Sequence, residues 1–343
     1  MTQKNSVLIT GANGEVGHGL IAHLSRDAQL AIVATDIQPL DPALQAIPLT
    51  FVQGDILDQA LLQQLFEGRA YQTIFHLASI LSTKGERSPE LAFRVNVDGT
   101  FALLMRAVQQ AREQGRTMKF LYPSSIAAYG LPDADTKRAA GQVAEDAWCF
   151  PATMYGCNKL ACESLGTYFA RHYRRLDEPR SGYGLDFRSV RFPGLISAQT
   201  VPTGGTSDYG PEMLHHAAQG LAYECFVRED ACLPFMVMPD AIRALLLLEA
   251  APRERLARLV YNVSSFSLSA GEIYRLTLKA FPAAEVHFAP DVNRQGIVDS
   301  WPCDVDDTAA RREWGWYPEY NRTRAFDEYL IPAIRERYLA SPG

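Results

Sequence analysis

Short apolar runs alternate with amphipathic stretches through the first half of the chain. The first run, Ser6–Thr10, is followed by a glycine-rich turn and by a predicted helix, Gly17–Leu24. The further predicted strands are Ala31–Asp36, Leu49–Gln53, Thr73–Ala78, Lys119–Pro123 and Arg188–Phe192, and the further predicted helices are Leu61–Phe66 and Val97–Gln114. Strands that alternate with helices favour an α/β fold, namely a Rossmann-type, doubly wound parallel sheet covered by helices.

The strand–helix alternation weakens after Phe192. Residues 194–210 are rich in Gly, Ser, Thr and Pro, which indicates a second, smaller region. A helix that begins at Asp240 and a strand at Leu259–Val263 are predicted to return to the first sheet. We therefore predict two discontinuous domains. The larger comprises residues 1–193 and 236–264, and the smaller, C-terminal one comprises residues 194–235 and 265–343.

Charge and composition exclude several classes of function. Over 343 residues the net charge is −6, and the chain has neither a basic stripe for nucleic acid nor a Lys/Arg-rich run for a membrane surface. The most apolar helical run, within residues 241–251, is about half the ~20 residues of a membrane span. The N-terminus lacks the features of a signal peptide, and the six cysteines lack C-x-x-C spacing. We expect a cytoplasmic protein with reduced thiols and no metal site.

A glycine triad follows the first strand. Residues 10–17 have the sequence TGANGEVG, in which Gly11, Gly14 and Gly17 form the pattern G-x-x-G-x-x-G. Glycines permit the tight turn and the close approach of a pyrophosphate to the N-terminus of the next helix. A glycine-rich turn alone is a weak signal, but Asp36 closes the second strand 19 residues after Gly17, near the spacing of a dinucleotide site. The larger domain is therefore predicted to bind a dinucleotide and the smaller one the substrate.

Asp36 also predicts the choice of cofactor. A carboxylate at the end of the second strand accepts hydrogen bonds from the ribose hydroxyls and repels a 2′-phosphate. No Arg follows it at positions 37–39, so NAD is favoured over NADP. Asp55 and Ile56 follow the third strand, and there Asp55 either reaches the adenine or serves only in a loop turn or helix cap.

Tyr155 and Lys159 form the pattern Y-x-x-x-K. Residues four apart on a helix share one face, so the ammonium is expected to favour the phenolate and to lower the pKa of Tyr155. Such a pair also occurs by chance on ordinary helices. Here, however, Ser125 follows the fifth predicted strand, at the edge where open α/β sheets bind ligands and 30 residues before Tyr155.

Together these motifs resemble the extended short-chain dehydrogenases, a branch that includes the sugar-nucleotide epimerases. The further matches are His76-Leu77-Ala78, the run Asn96–Thr100, and Ser125 four residues before Tyr129-Gly130. The resemblance implies that Ser125 orients the substrate hydroxyl, Tyr155 exchanges its proton as catalytic base, and Lys159 holds the nicotinamide ribose. The implied cofactor-binding residues are Gly11, Asn13, Gly14, Glu15, Val16, Gly17, Asp36, Asp55, Ile56, Leu77, Ala78, Asn96, Tyr155, Lys159 and Pro193.

Three positions argue against a nucleotide-sugar epimerase. The epimerases have Asn after the strand that follows the catalytic helix, where this chain has Gly194. They also have an Arg and a His in a later stretch, where this chain has Leu233 and Val237. Because Arg is hard to replace in bidentate phosphate recognition, the loss of these contacts disfavours a nucleotide sugar.

The second half instead resembles the short-chain type of L-threonine 3-dehydrogenase. The matching segments are residues 183–188, 191–197, 204–209, 233–236, 238–244, 299–302 and 314–316. The resemblance implies NAD-dependent oxidation of the C3 hydroxyl of L-threonine to 2-amino-3-oxobutanoate. The implied substrate-binding residues are Ser82, Ser125, Tyr155, Thr206 and Trp301. For Trp301, packing in the core is an equal alternative.

Two segments depart from this family. Residues 174–182 look like an exposed insertion, and residues 131–150, directly before the catalytic helix, are longer and more divergent than the family pattern. Three alternatives stay open: a dehydrogenase of another small hydroxy acid or sugar acid, a nucleotide-sugar epimerase or dehydratase, and a non-catalytic NAD-binding regulator. The resemblance also implies a homodimer through the helices Val97–Gln114 and Met154–Arg171, although the same apolar faces suit packing within one subunit.

Overall fold

The computed structural model of the chain describes residues 5–176, 183–201 and 204–339. Its strands, in chain order, are β1 (Ser6–Thr10), β2 (Ala31–Asp36), β3 (Thr50–Gln53), β4 (Tyr71–His76), β5 (Met118–Ser125), β6 (Gln142–Val143), β7 (Leu185–Phe192), β8 (Gly194–Ile196), β9 (Tyr223–Cys225), β10 (Cys232–Val237), β11 (Val260–Asn262), β12 (Phe266–Ser269), β13 (Val286–Phe288) and β14 (Asp304–Val305). Most of the predicted insertion at residues 174–182 lies outside the described residues.

The helices surround these strands. They are α1 (Glu15–Leu24), α2 (Gln59–Phe66), α3 (Ser82–Arg87), α4 (Pro89–Phe93), α5 (Gly99–Glu113), α6 (Ala134–Ala140), α7 (Met154–Arg171), α8 (Tyr209–Ala218), α9 (Met238–Ala250), α10 (Ala270–Ala280), α11 (Val292–Ser300), α12 (Thr308–Trp314), α13 (Arg322–Arg324) and α14 (Ile331–Leu339). π-helical turns at Arg94–Asp98 and Ala325–Leu330 lead into α5 and α14. Among the helices of the described ranges, none combines the length and the apolar character that a membrane span requires.

Seven strands form one parallel sheet in the order β11-β7-β5-β4-β1-β2-β3. The order reverses between β4 and β1, and open α/β sheets bind ligands at such a switch point, outside the carboxyl ends of the strands. All eight residues of β7 are buried, as expected for a strand covered on both faces. The predicted doubly wound α/β fold is therefore confirmed.

Helices cover both faces of the parallel sheet. On one face Ile21 of α1 and Leu245 of α9 pack with Ile9 of β1. On the other face Leu62 of α2 and Leu104 of α5 pack with side chains from the sheet. Each helix thus buries an apolar stripe against the strands, which explains why the sequence alternates between the two periodicities.

A third core cluster lies outside the large sheet. It includes residues of α8 and α10 and of the three-stranded sheet β12-β10-β8. β8 begins two residues after the end of β7, so Pro193 separates a strand of the large sheet from a strand of the small one. α12 and Trp316 pack in the core of the large sheet, although the predicted division assigns residues 265–343 to the smaller domain. The two-domain division stays a prediction.

The expectation of reduced thiols throughout the chain is wrong for two of the six cysteines. Cys232, at the start of β10, forms a disulfide with Cys303, with 5.1 Å between the two Cα atoms. The two residues are 71 positions apart, and no spacing motif links them. Tertiary packing alone brings them together. Cys149, Cys157, Cys162 and Cys225 are free.

Candidate active site

A cavity of about 360 Å³ lies at the carboxyl ends of the central strands. The predicted site residues that line it are Gly11, Asn13, Gly14, Glu15, Val16, Gly17, Leu77, Ser82, Ser125, Tyr155, Lys159, Pro193, Thr206 and Trp301. The predicted residues that do not line it are Asp36, Asp55, Ile56, Ala78 and Asn96. The structure therefore brings together the glycine turn, the Tyr–Lys pair and the predicted substrate residues.

The glycine turn leaves no room for side chains. Gly11 has φ +72°, and a Cβ there would lie 2.7 Å from the backbone N of Ala78. A Cβ on Gly17 would lie 2.5 Å from the carbonyl oxygen of Ala12. Gly14 caps α1 without a side-chain hydrogen bond, so the first N–H groups of the helix remain available to an anion. This turn fits the pyrophosphate of a dinucleotide.

Asp36 lies at the end of β2, half-buried beside the glycine turn. Its two carboxylate oxygens accept hydrogen bonds from the backbone N–H groups of Asn13 and Gln38, each at 3.0 Å. These bonds fix the carboxylate next to the turn while leaving it lone pairs for ribose hydroxyls. The residues present thus fit a nicotinamide dinucleotide whose 2′-hydroxyl is free.

Asp55 and Ile56 make local contacts. Asp55 accepts a hydrogen bond from the backbone N–H of Leu57 at 2.9 Å, which is the turn role that the sequence left open. Ile56 is buried, and a Cβ on Gly99 would lie 3.0 Å from it. Neither side chain reaches the cavity in this structure, and their contact with adenine stays a prediction.

Asn96 holds the segment that follows β4. Its side chain accepts a hydrogen bond from the Ile80 N–H at 2.7 Å and donates one to the Ile80 carbonyl at 3.0 Å. His76, at the end of β4, is within hydrogen-bonding distance of Thr10 and Thr100 through its two ring nitrogens, at 2.7 and 2.8 Å. Burial lowers the pKa of His76 to about 3, so it is a neutral, satisfied core residue.

Tyr155 and Lys159 lie in the first turns of α7, which Thr153 caps by accepting a hydrogen bond from the Gly156 N–H at 3.1 Å. The Lys159 ammonium donates to the Pro123 carbonyl at 2.7 Å and lies 5.4 Å from the centre of the Tyr155 ring. Ser125 ends β5, and its hydroxyl lies close enough to Tyr155 to act on the pKa of the phenol. The three predicted catalytic side chains therefore meet at one end of the cavity.

Burial dominates the electrostatics of this group. It lowers the pKa of Lys159 to about 8, with Cys162 and Glu163 opposing the shift. It raises the pKa of Tyr155 well above its usual value, with the nearby Ser125 hydroxyl opposing the shift. The lowered pKa expected for Tyr155 is therefore not seen in the protein alone. The desolvation of the phenolate outweighs the attraction of an ammonium that is already bonded to Pro123.

A buried ion pair lies behind the catalytic group. Arg191 of β7 donates two hydrogen bonds to Glu163 of α7, at 2.6 and 2.8 Å, and Ser124 of β5 donates a third at 2.5 Å. Glu163 is one turn after Lys159 on the same helix. The network therefore ties α7 to the two strands that carry the site.

The other predicted substrate residues, Ser82, Thr206 and Trp301, also line the cavity. Ser82 accepts a hydrogen bond from the Thr206 N–H at 3.2 Å, and the two hydroxyls are 2.9 Å apart. Trp301 is only 4% exposed and packs in the third core cluster, yet it also lines the cavity. Its indole N–H is buried and has no hydrogen-bond partner among the described residues. Trp301 therefore packs in the core, and its contact with a substrate stays a prediction.

Several residues of the cavity wall were not predicted from the sequence. Leu81, Ile126 and Phe192 contribute apolar surface, while Thr200 and Asp208 contribute polar groups. Asp208 accepts hydrogen bonds from the backbone N–H groups of Gly204 and Gly205, at 2.9 and 2.5 Å, and so shapes the loop before α8. Residues 204–209 matched the family pattern, but only Thr206 was singled out in this segment, and Asp208 was not.

The chain matches a model of the NAD dependent epimerase/dehydratase family over residues 7–264. It is 35% identical to the mitochondrial L-threonine 3-dehydrogenase of Bos taurus over 324 residues, 92% of this chain and 79% of that protein. A solved monomeric L-threonine 3-dehydrogenase from a metagenome has a TM-score of 0.83 and 33% identity, and the match covers 96% of this chain and 99% of that one. The L-threonine dehydrogenase of Clostridium difficile has a TM-score of 0.84 and 30% identity, with coverage of 98% and 99%.

Proposed function

The chain belongs to the NAD dependent epimerase/dehydratase family, and on that premise we propose that it oxidises the C3 hydroxyl of L-threonine with NAD, giving 2-amino-3-oxobutanoate. The chain is a nicotinamide-dependent dehydrogenase similar to the L-threonine 3-dehydrogenases. The observation that carries the finer proposal is the single cavity in which Tyr155, Ser82 and Trp301 lie together with the glycine turn.

The proposed chemistry divides between the cofactor and three side chains. Bound NAD supplies the hydride acceptor and a positively charged ring that favours the phenolate. Tyr155 takes the proton of the C3 hydroxyl, and Ser125 orients that hydroxyl toward it. Lys159 stays charged near neutral pH, since its pKa is about 8, and holds the nicotinamide ribose.

Asp36 supports NAD rather than NADP. Its carboxylate is fixed by two backbone N–H groups beside the glycine turn, and a 2′-phosphate placed there would meet an unneutralised negative charge. Among the described residues, no Lys or Arg forms an ion pair with Asp36.

The packing disfavours a nucleotide sugar. A Cβ on Gly194 would lie 2.7 Å from the Phe235 ring, so this site has no room for the epimerase Asn without a shift of that ring. Leu233 and Val237 are fully buried in the third core cluster, so neither side chain reaches a ligand. Among the described residues, these three positions therefore lack the groups by which epimerases hold a sugar diphosphate, and this supports a small substrate.

The direct test is NADH formation, followed by absorbance, when the purified protein is given NAD and L-threonine. Tyr155→Phe is expected to lose about 10²- to 10⁴-fold in rate. Tyr317→Phe, at an exposed position, removes a hydroxyl outside the cavity and is the matched control. It is expected to retain full activity.

Other outcomes separate the alternatives. Activity with another small hydroxy acid or sugar acid, but not with threonine, would leave the dehydrogenase assignment and reject the substrate. Turnover of a nucleotide sugar without net NADH formation would favour an epimerase. Binding of NADH without any turnover would favour a regulator.

We propose a homodimer formed through the outer faces of α5 and α7. Phe101 on α5 and Tyr168 on α7 are each 45% exposed and both contact the Phe169 ring, so together they offer an apolar surface to a second copy of the chain. Light scattering tests the oligomeric state, and a monomer, as in the name of the metagenomic relative, would reject this proposal. A cytoplasmic location stays a prediction.

A further inference from the structure

Glu15 places a carboxylate inside the predicted pyrophosphate site. It is the first residue of α1, and its side chain lines the cavity beside Gly14. Among the described residues, no Lys or Arg forms an ion pair with it. A helix N-terminus stabilises one nearby negative charge, but here the carboxylate and a bound pyrophosphate would compete for the same N–H groups and the same dipole.

The groups that face Glu15 from other elements do not neutralise it. Asp208, at the start of α8, adds a second negative charge to the same wall, and Tyr329 lies near it from the C-terminal helical region. The Thr200 hydroxyl approaches Glu15, is buried, and has no hydrogen-bond partner within the described ranges. On α1 itself the nearest titratable group is His18, one turn further on, which lies 3.8 Å from Asp41. The groups that face Glu15 are therefore either acidic, as Asp208 is, or uncharged, as Thr200 and Tyr329 are.

This environment has a measurable effect before any ligand binds. Burial, opposed by the Thr200 hydroxyl and assisted by the Asp208 carboxylate, raises the pKa of Glu15 to about 7. Near neutral pH the carboxyl is thus about half protonated. A neutral carboxyl can donate a hydrogen bond to a phosphate oxygen, whereas a carboxylate can only accept and would repel it.

We propose that Glu15 must carry a proton when the dinucleotide binds, so that NAD(H) binding is coupled to the uptake of one proton at the pyrophosphate. The two negative charges of the pyrophosphate favour the protonated form of Glu15 still more, so the complex binds the proton more tightly than the free protein does. By linkage, the affinity is constant below the pKa of the free protein and falls as the pH rises above it, by up to about tenfold per pH unit. The inference rests on dinucleotide binding by this site and not on threonine as the substrate.

The test compares the wild type with Glu15→Gln, which keeps the shape of the side chain and cannot ionise. Dissociation constants for NADH are measured by fluorescence between pH 6 and 9. Calorimetry in two buffers of different ionisation enthalpy then counts the protons taken up. Glu67→Gln, at an exposed position at the end of α2, is the control for the loss of a carboxylate elsewhere.

The wild type and Glu67→Gln are expected to lose affinity for NADH above pH 7. When they bind NADH at pH 8, each is expected to take up close to one proton more than Glu15→Gln does. Glu15→Gln is expected to bind NADH more tightly than the wild type at pH 8 to 9. The difference between the variants isolates Glu15, because Lys159 titrates near pH 8 in all of them. Adenosine, which lacks phosphate, is expected to bind with the same pH dependence in all three proteins.

Equal pH dependence of NADH binding in the wild type and Glu15→Gln would overturn the inference. A Glu15-dependent effect that also appeared with adenosine would overturn it as well, because the effect would then not arise at the pyrophosphate. Failure of all three proteins to bind NADH at any pH would reject the cofactor assignment together with the inference. Binding of NADH without oxidation of threonine would reject only the proposed substrate.

Discussion

The buried ion pair between Arg191 and Glu163 is expected to stabilise the fold around the candidate active site, and this can be tested directly. Their side chains are 3% and 5% exposed, and Arg191 donates two hydrogen bonds to the carboxylate. Arg191→Met removes one partner and leaves Glu163 as a buried, unpaired charge. Breaking a buried pair in this way costs about 3–5 kcal/mol. With about 2.1 cal/mol/K of unfolding entropy per residue, the melting temperature of a cooperative 343-residue chain is expected to fall by about 4–7 °C.

The assay is thermal unfolding at fixed protein concentration, by circular dichroism and by calorimetry. Arg138→Met is the matched control, because Arg138 pairs with Asp135 on the exposed face of α6 and such pairs contribute little. The double variant Arg191→Met with Glu163→Leu removes both charges, and its loss of stability is expected to be smaller than the sum of the two single losses. If Arg191→Met were no less stable than Arg138→Met, or if the two losses simply added, the buried pair would not be the cause.

Three further predictions concern the cofactor, the pH profile and the disulfide. Glu163→Gln removes a carboxylate that favours the charged form of Lys159, so the pKa of Lys159 should fall. The decline of kcat/KM at alkaline pH should therefore begin at a lower pH than in the wild type. A decline that began at the same or a higher pH would contradict this. Asp36→Asn should weaken NAD binding by about 10- to 100-fold. It should also lower the ratio of kcat/KM with NAD to kcat/KM with NADP. An unchanged ratio would show that Asp36 does not select the cofactor. Cys232→Ser removes a disulfide that links residues 71 positions apart. In the chain-entropy model such a link stabilises the folded protein by about 4 kcal/mol, so the melting temperature of the variant should fall to that of the reduced wild type. If the melting temperature of the wild type did not change with reductant, the pairing of Cys232 with Cys303 would be refuted.

The predictable part of this protein is the part that local patterns specify. The turn at Gly11 needs φ +72° and close backbone contact with Ala78, requirements that only glycine satisfies, so they are visible in the sequence. The four-residue spacing of Tyr155 and Lys159 is helical and places both on one face of α7. The sequence predicted only the second part of strand β7, Arg188–Phe192. Because the strand is buried on both faces, it lacks the alternation of apolar and polar residues that would mark where it begins.

The unpredicted part arises from contacts between segments that are distant in sequence. Thr200 and Asp208 belong to a loop with no periodicity, and they enter the cavity wall only because β8 and α8 carry that loop back to the glycine turn. In the protein alone the pKa of Tyr155 is raised, whereas the spacing rule predicted a lowered pKa, because that rule gives the distance of the ammonium but not the desolvation of the phenol. The two cysteines of the disulfide likewise gave no local signal.

Residues 131–150 act on the cavity indirectly. None of them lines it, but the Leu131 N–H donates to the Ser300 carbonyl and the buried Lys137 ammonium donates to the Val298 carbonyl, both at 2.8 Å. These bonds hold the last turn of α11, immediately before Trp301, while the disulfide at Cys303 holds the chain on the other side. The chain on both sides of Trp301 is therefore tied to neighbouring segments, and Trp301 lines the cavity between these two attachments. We therefore expect that this divergent segment, if it affects substrate choice, acts through the position of Trp301, because none of its own residues lines the cavity.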